Sequence, residues 1–349
     1  MRTSGILAII FGGLALAGLI LAGTIFLLQR SSIFPGFSGN NENFDESRST
    51  STKDIGEISI KTASININIQ KISGTELTIR LHGTVRNSQN VKPELKVSTA
   101  GGKIAVSAEW PPSLILGFSS SSMVLDVQLP ESFDGEMAVR STSGNIEANT
   151  LRLSMLDLET SSGNIKAELL SADNLTAHST SGNIIINDIE AEKAEITSTS
   201  GNTRITSGKA ETYRQESRSG TLWVGTLEAS EASLTSTSGG ITVDNAAGGI
   251  KFSSTSGNVR LSFSAIRQLI TGSSTSGNVT LTLPGGSAFV LDLKTASGSL
   301  KSDFPITTTL TSGRSSAGLN RKILGTVNNG ETPVTVESTS GNISIREGK

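Results

Sequence analysis

Ten of the Ser-Gly pairs in this chain of 349 residues fall in a near-regular series, with glycines at 144, 163, 182, 201, 220, 239, 257, 277, 298 and 341. Asparagine follows in seven of the ten copies. A serine held on a sharp turn is a nucleophile only when a base stands within reach. No acid–base partner travels with these serines, so the repetition points to a backbone role. Histidine chemistry is thin: His82 and His178 are the two histidines, there is no cysteine, and a metal site needs three or four ligands. No catalytic, cofactor-binding or metal-ligating residue is therefore assigned, and the chain reads as a non-enzyme.

Counting each copy from its glycine as zero exposes the remaining candidates. Position −4 reads Arg140, Glu159, His178, Thr197, Glu216, Thr235, Ser253, Ser273, Lys294 and Glu337. Polysaccharide-cleaving β-helices need converging carboxylates or a Ca²⁺ site on one face. These charges are scattered and mixed in sign, as on a solvated face with ion pairs between coils. Position +3 holds Trp223, with Arg204 one copy earlier and Arg260 two copies later. An outward Trp beside cations can stack a glycan or dock a protein, so Trp223, Arg204 and Arg260 are the surface-interaction candidates. The formal net charge of −2 gives no reason to expect nucleic acid.

These positions must be presented by strands. Position +2 is mainly aliphatic, from Ile146, Ile165 and Ile184 to Ile343, and positions −7 and −5 are mostly so. Two strands therefore face one interior across a tight corner. The corner is the motif itself: Ser or Thr at −3, glycine at 0 for a positive φ, and asparagine at +1 tolerating left-handed geometry. The first six glycines are spaced by 19 residues and the next gaps are 18, 20, 21 and 43. A fixed period near 20 residues is the signature of a solenoid, in which stacking aligns Ser and Asn into ladders. The gap of 43 would hold one degenerate coil near 313–325. Aromatics at 4% suit a thin apolar column better than a three-dimensional core. At about 4.8 Å per coil, ten or eleven coils make a rod about 50 Å long.

The expected fold is all-β, a single-stranded β-solenoid of about 19-residue coils behind an N-terminal transmembrane helix. Residues 1–5 read as a cytoplasmic tail and 6–28 as the transmembrane helix, since Ile6 to Leu28 is uncharged and about 20 apolar residues span a bilayer. A cleaved signal peptide is the rival reading at Ala22-Gly23-Thr24, but the apolar run continues past it. Residues 29–54 read as a flexible polar spacer, 55–136 as an irregular capping module, 137–301 as regular coils, and 302–349 as degenerate coils and a cap. This order predicts a single-pass cell-membrane protein with its bulk outside the cytoplasm.

The repeated Ser-Thr-Ser-Gly-Asn-Ile cores resemble the bacterial β-strand-repeat family of "putative adhesins" of unknown function, which includes LiaG-like membrane-anchored proteins. Ser302-Asp303-Phe304-Pro305-Ile306, Leu324-Gly325 and Val334 to Ile345 resemble that family's C-terminal pattern. The resemblance covers about residues 55–349 and implies a cell-envelope protein with a link to envelope-stress signalling. It supplies no catalytic residues. The expected role is an adhesin-like module binding an envelope protein or glycan that the sequence does not identify. Self-association into a bactofilin-like scaffold is the alternative, and a polysaccharide-active enzyme ranks third.

Overall fold

The computed structural model describes residues 41–86, 91–111, 120–307 and 321–348. The expected transmembrane segment at 6–28 lies outside them, and among the described residues no helix is long and apolar enough to cross a membrane. The described residues are all-β, with 22 strands joined in one continuous array. Below, each coil is named by the residue at position 0 of its turn.

The middle of the array is a parallel stack. Strands Ile146–Thr160, Ile165–Ser179, Ile184–Ser198, Thr203–Ser217, Leu222–Ser236 and Ile241–Ser254 follow one another in chain order. Their register is offset by one repeat, so Ile165 faces Ile184 and Ile184 faces Thr203. Burial along Ile165–Ser179 shows why the chain closes on itself. Ile165 and Ala167 point inward, then Leu170 and Ala172, then Leu175, Ala177 and Ser179. The alternation skips a step at Glu168-Leu169 and again at Asp173-Asn174, and Glu168 and Asp173 drop out of the cross-coil pairing. Each skip turns the strand by one face. A coil thus has three short sides rather than two; the third carries Leu151, Leu170, Ile189 and Leu227, all buried.

The Ser-Gly-Asn turn solves a hydrogen-bonding problem. Before it, Thr180 and Ser181 donate their N–H groups to the Thr160 and Ser161 carbonyls at 3.2 and 2.9 Å. After it, the Ile184 N–H reaches the Asn202 carbonyl at 3.0 Å. Between them, the Gly182 N–H turns inward to the buried Ser179 Oγ at 2.9 Å, and the Asn183 N–H is accepted by Asn164 Oδ1 of the coil below at 2.8 Å. The hydroxyl at −3 and the amide at +1 therefore occupy the two donors that the ladder cannot reach. The same pair of bonds recurs at Gly163 with Thr160 and Asn145, and at Gly277 with Ser274 and Asn258.

The glycine is needed for a different reason from the expected one. None of the repeat glycines has positive φ, and neither do the asparagines that follow them. Instead the coils approach so closely here that a Cβ on Gly163 would overlap the Gly144 carbonyl, and one on Gly182 the Gly163 carbonyl. The contact runs up the stack through Gly201, Gly220, Gly239, Gly257 and Gly277. Close approach of backbones, not left-handed geometry, excludes every other residue.

Both ends of the stack depart from chain order. Strand Glu57–Thr62 lies between Glu136–Ser141 and Lys103–Glu109, and Asn66–Ile72 pairs on one side with the strand after Gly144 and on the other with Ser120–Pro130. Thr62-Ala63-Ser64-Ile65-Asn66 is thus a turn of the same kind: Thr62 Oγ1 bonds the Ile65 carbonyl at 3.1 Å, and Asn66 Oδ1 accepts the Asn145 N–H at 2.9 Å. Regular stacking begins at Glu57, not at 137. Lys71 pins this coil to the next, its ammonium donating to the Phe133 and Arg152 carbonyls at 2.7 Å each. At the other end the Gly341 coil is inserted between those of Gly277 and Gly298: Val334 faces Ile270 on one side and Leu291 on the other. The expected degenerate coil near 313–325 is not a coil where it is described. Arg321–Val327 runs antiparallel along Phe289–Thr295 and covers the end. Antiparallel strands also close the first end, where Glu76–Arg86 covers Ser120–Pro130 and Glu94–Ala100 covers Lys103–Glu109.

The spacer expected through residue 54 is likewise shorter, because Asn41–Ser51 forms a strand antiparallel to Glu76–Arg86. Its composition buries little, but the strand edge it meets offers a full row of backbone partners. Phe44 packs, half-buried, against the core.

The close approach of glycines makes a direct prediction. Gly201→Ala should lower stability to urea by about 3 kcal/mol or more, because the added methyl forces two coils apart. Gly56→Ala, where a Cβ meets nothing within 4 Å, should stay within about 0.5 kcal/mol.

Candidate functional site

The outward row at −4 is an ion-pair surface. Arg140 Nε bonds Glu159 Oε2 at 2.9 Å and its Nη2 reaches Asp157 Oδ2 at 2.8 Å. Arg214 bonds Glu216 at 2.7 Å, and Lys294 bonds Glu337 at 2.7 Å. Burial pushes the Asp157 carboxyl above its ordinary range, and Arg140 opposes that shift. Such exposed pairs contribute roughly 0–1 kcal/mol each and hold no reacting geometry. His178 sits in register between Glu159 and Thr197, while His82 lies in the N-terminal cap with its Nε2 2.7 Å from Asp126 Oδ2. The two histidines are not brought together, and among the described residues no three His, Cys, Asp or Glu side chains are grouped to hold a metal ion.

The row at +3 carries the three expected surface residues. Arg204 and Trp223 are register partners, and the guanidinium carbon stands 3.7 Å from the ring centroid. Gly225 leaves room for the ring, since a Cβ there would approach Trp223 Cη2 to 3.0 Å. Trp223 is consequently half-buried, with a cation of its own chain on its π-system. Arg260 stands two coils beyond Trp223, with Thr242 between them. The structure joins Arg204 to Trp223 and leaves Arg260 apart.

Arg260 acquires a different neighbourhood, invisible in chain order. Along the stack it is followed by Thr280, then Ser344, then Lys301, because the Gly341 coil is inserted. In the adjacent row Ser262 is followed by Thr282 and Arg346. Arg260 and Arg346 are exposed, Thr280 and Thr282 between them are half-buried, and together they bound a cleft of about 380 Å³. A larger open groove of about 910 Å³ runs over the small side chains Ala191, Ala210 and Ala229. Its rim alternates Glu190, Lys209 and Glu228, so its charges largely cancel.

One coil holds an enclosed polar group. Tyr213 donates to Gln215 Oε1 at 3.0 Å, and Gln215 Nε2 donates to Thr203 Oγ1, all three buried. They occupy −7, −5 and +2, where neighbouring coils are mostly aliphatic, and Gly208 makes room for the ring. Burial drives the Tyr213 phenol far above its ordinary value of 10.0. With no exposure to solvent, the trio reaches no substrate; its bonds satisfy one another.

A family model described as Toastrack DUF4097 matches this chain twice, over residues 55–226 and 209–346. Among solved structures, a "putative adhesin" from Parabacteroides merdae is 11% identical with a TM-score of 0.42, the match covering 87% of this chain and 96% of that one. A "putative adhesin" from Bacteroides fragilis is 12% identical with a TM-score of 0.41, covering 86% and 97%. A "putative lipid binding protein" from Parabacteroides distasonis is 13% identical with a TM-score of 0.40, covering 87% and 97%. No curated protein matches the chain.

Tyr213 is the only tyrosine, so phenolate absorbance reports on it alone. The native array should show no phenolate as pH rises through 10.0, and the signal should appear only on unfolding. The unfolded chain loses this proton above that pH while the folded one keeps it, so stability is full below it and falls above it.

Proposed function

We propose, from the premise that this chain belongs to the Toastrack DUF4097 family, that it is a non-catalytic, adhesin-like interaction module of the bacterial cell envelope. In this reading the segment at 6–28 holds it in the membrane, and the β-array stands outside the cytoplasm. One observation carries the proposal: the polar groups of the repeated turn are occupied in closing the turn and in joining coil to coil. The turn hydroxyls bond the glycine backbone, and the asparagines bond the next coil. Recognition then belongs to the variable outward rows, which run from coil to coil along the stack. Rows that repeat along the stack fit an extended or repetitive partner. Contact with such a partner at the cell surface is also the simplest route from this array to envelope-stress signalling.

End-to-end assembly into a scaffold is the less favoured reading. Antiparallel strands lie across both ends of the parallel stack, where a second rod would have to add its first coil.

The test is photo-crosslinking in living cells from the full chain, with a photoreactive residue replacing Thr280 on the +3 row or, as a comparison, Thr197 on the −4 row. The proposal expects envelope glycan or envelope protein adducts from position 280. Adducts with cytoplasmic components, or with lipid and other copies of the chain only, contradict it.

A further inference from the structure

The +3 row changes character once it is followed in stacking order. From Arg204 the residues run Trp223, Thr242, Arg260, Thr280, Ser344 and Lys301. A cation therefore recurs at every third coil, about 14 Å apart at the spacing of adjacent strands. Hydroxyl side chains fill both steps between Arg260 and Lys301. Arg346, from the neighbouring row, stands diagonally across the Thr280–Thr282 floor from Arg260. Among the described residues neither arginine has an ion-pair partner, in contrast to Arg140 and Arg214 on the −4 side. Lys301 stands 3.5 Å from Asp303; Asp244 and the exposed Glu347, next to Arg346, are further acids along this stretch, and among the described residues neither is paired to an arginine.

We infer that this face binds an acidic polysaccharide laid along the stack, with one anionic group seated between Arg260 and Arg346; the inference rests on the interaction-module reading above. Guanidinium groups offer forked donors that fit carboxylate or phosphate oxygens. Thr280, Thr282 and Ser344 supply hydroxyls that both donate and accept, as sugar hydroxyls do. Charge spacing selects the polymer. A nucleic-acid strand carries one charge per about 3.4 Å of its length and asks for aromatic platforms to stack its bases. Here the cations are about four times sparser, and Trp223 already carries Arg204. A chain of sugars with widely spaced acidic groups matches both the sparse cations and the hydroxyl floor.

The test is binding of labelled hyaluronan to the full chain in detergent, with neutral dextran, oligothymidylate and phosphatidylglycerol vesicles as competing probes. Hyaluronan should bind more tightly than the other three. Arg260→Ala with Arg346→Ala should weaken it at least about tenfold. Lys209→Ala, in the separate groove over Ala191, Ala210 and Ala229, should change nothing. Because the arginines are exposed, the double variant should keep the native melting curve, and the double lysine variant should recover part of the affinity. Unchanged binding in the alanine variant, or tighter binding of oligothymidylate or vesicles, overturns the inference. If that happens while envelope adducts still form from position 280, the ligand class is wrong and the interaction-module reading stands. If those adducts also disappear, that reading fails with it.

Discussion

The contact between successive turn glycines sets everything else in this molecule. Each glycine lies against the carbonyl of its counterpart in the adjacent coil, at a separation that no side-chain carbon could enter. That approach keeps the coils at strand spacing around a corner where the ladder would otherwise open. In coils such as that of Gly182 it strands two N–H groups, which the hydroxyl at −3 and the amide at +1 receive; at Gly201 and Gly239 the hydroxyl instead donates to the glycine carbonyl. Once the corner is closed, the apolar column behind it follows. A single coil buries too little to order itself, and only repetition makes the arrangement stable.

The same constraint explains what is allowed to vary. At the first corner of the stack Ile65 replaces glycine; Asn66 keeps its bonding role, while Thr62 donates to the Ile65 carbonyl. Within the stack, bulk is exchanged between neighbours. Gly272 faces Phe252 across one coil step because any side chain there would overlap the ring. Tyr213, Gln215, Thr203 and Gly208 depart from the apolar pattern together, in one coil, and compensate one another. Outward positions carry no such restriction, and that freedom is why the faces can differ from coil to coil.

Much of the central array was legible because its pairing is local in period: a spacing of 19 residues names the register partners from Ile146 up to Ala229 with Gly248, and a spacing of 18 those from Glu231 with Gly249 to Ser236 with Ser254. Arg204 beneath Trp223 followed from that spacing alone. The reason for the glycine did not, since a clash between coils cannot be seen in one copy of the repeat. The inserted Gly341 coil was also hidden, because chain order says nothing about a strand that returns to the stack after capping it. The spacer reading of residues 41–51 judged side chains, whereas that strand is held mainly by backbone pairing. A signal for the earlier start of the stack was present in Thr62-Ala63-Ser64-Ile65-Asn66, which keeps the spacing of the motif without its glycine. The Arg260–Arg346 cleft could not be read from sequence, since it exists only after the insertion.

This stacking order closes the array and brings Arg260 and Arg346 to one face. The chain has no cysteine, so engineered pairs report without background. Thr280→Cys with Ser344→Cys, and Ser344→Cys with Lys301→Cys, should each form a disulfide under mild oxidation, because each pair is in register on adjacent strands. Thr280→Cys with Lys301→Cys should not, because the Gly341 coil lies between them. A disulfide in that third pair, with none between positions 280 and 344, would contradict the account.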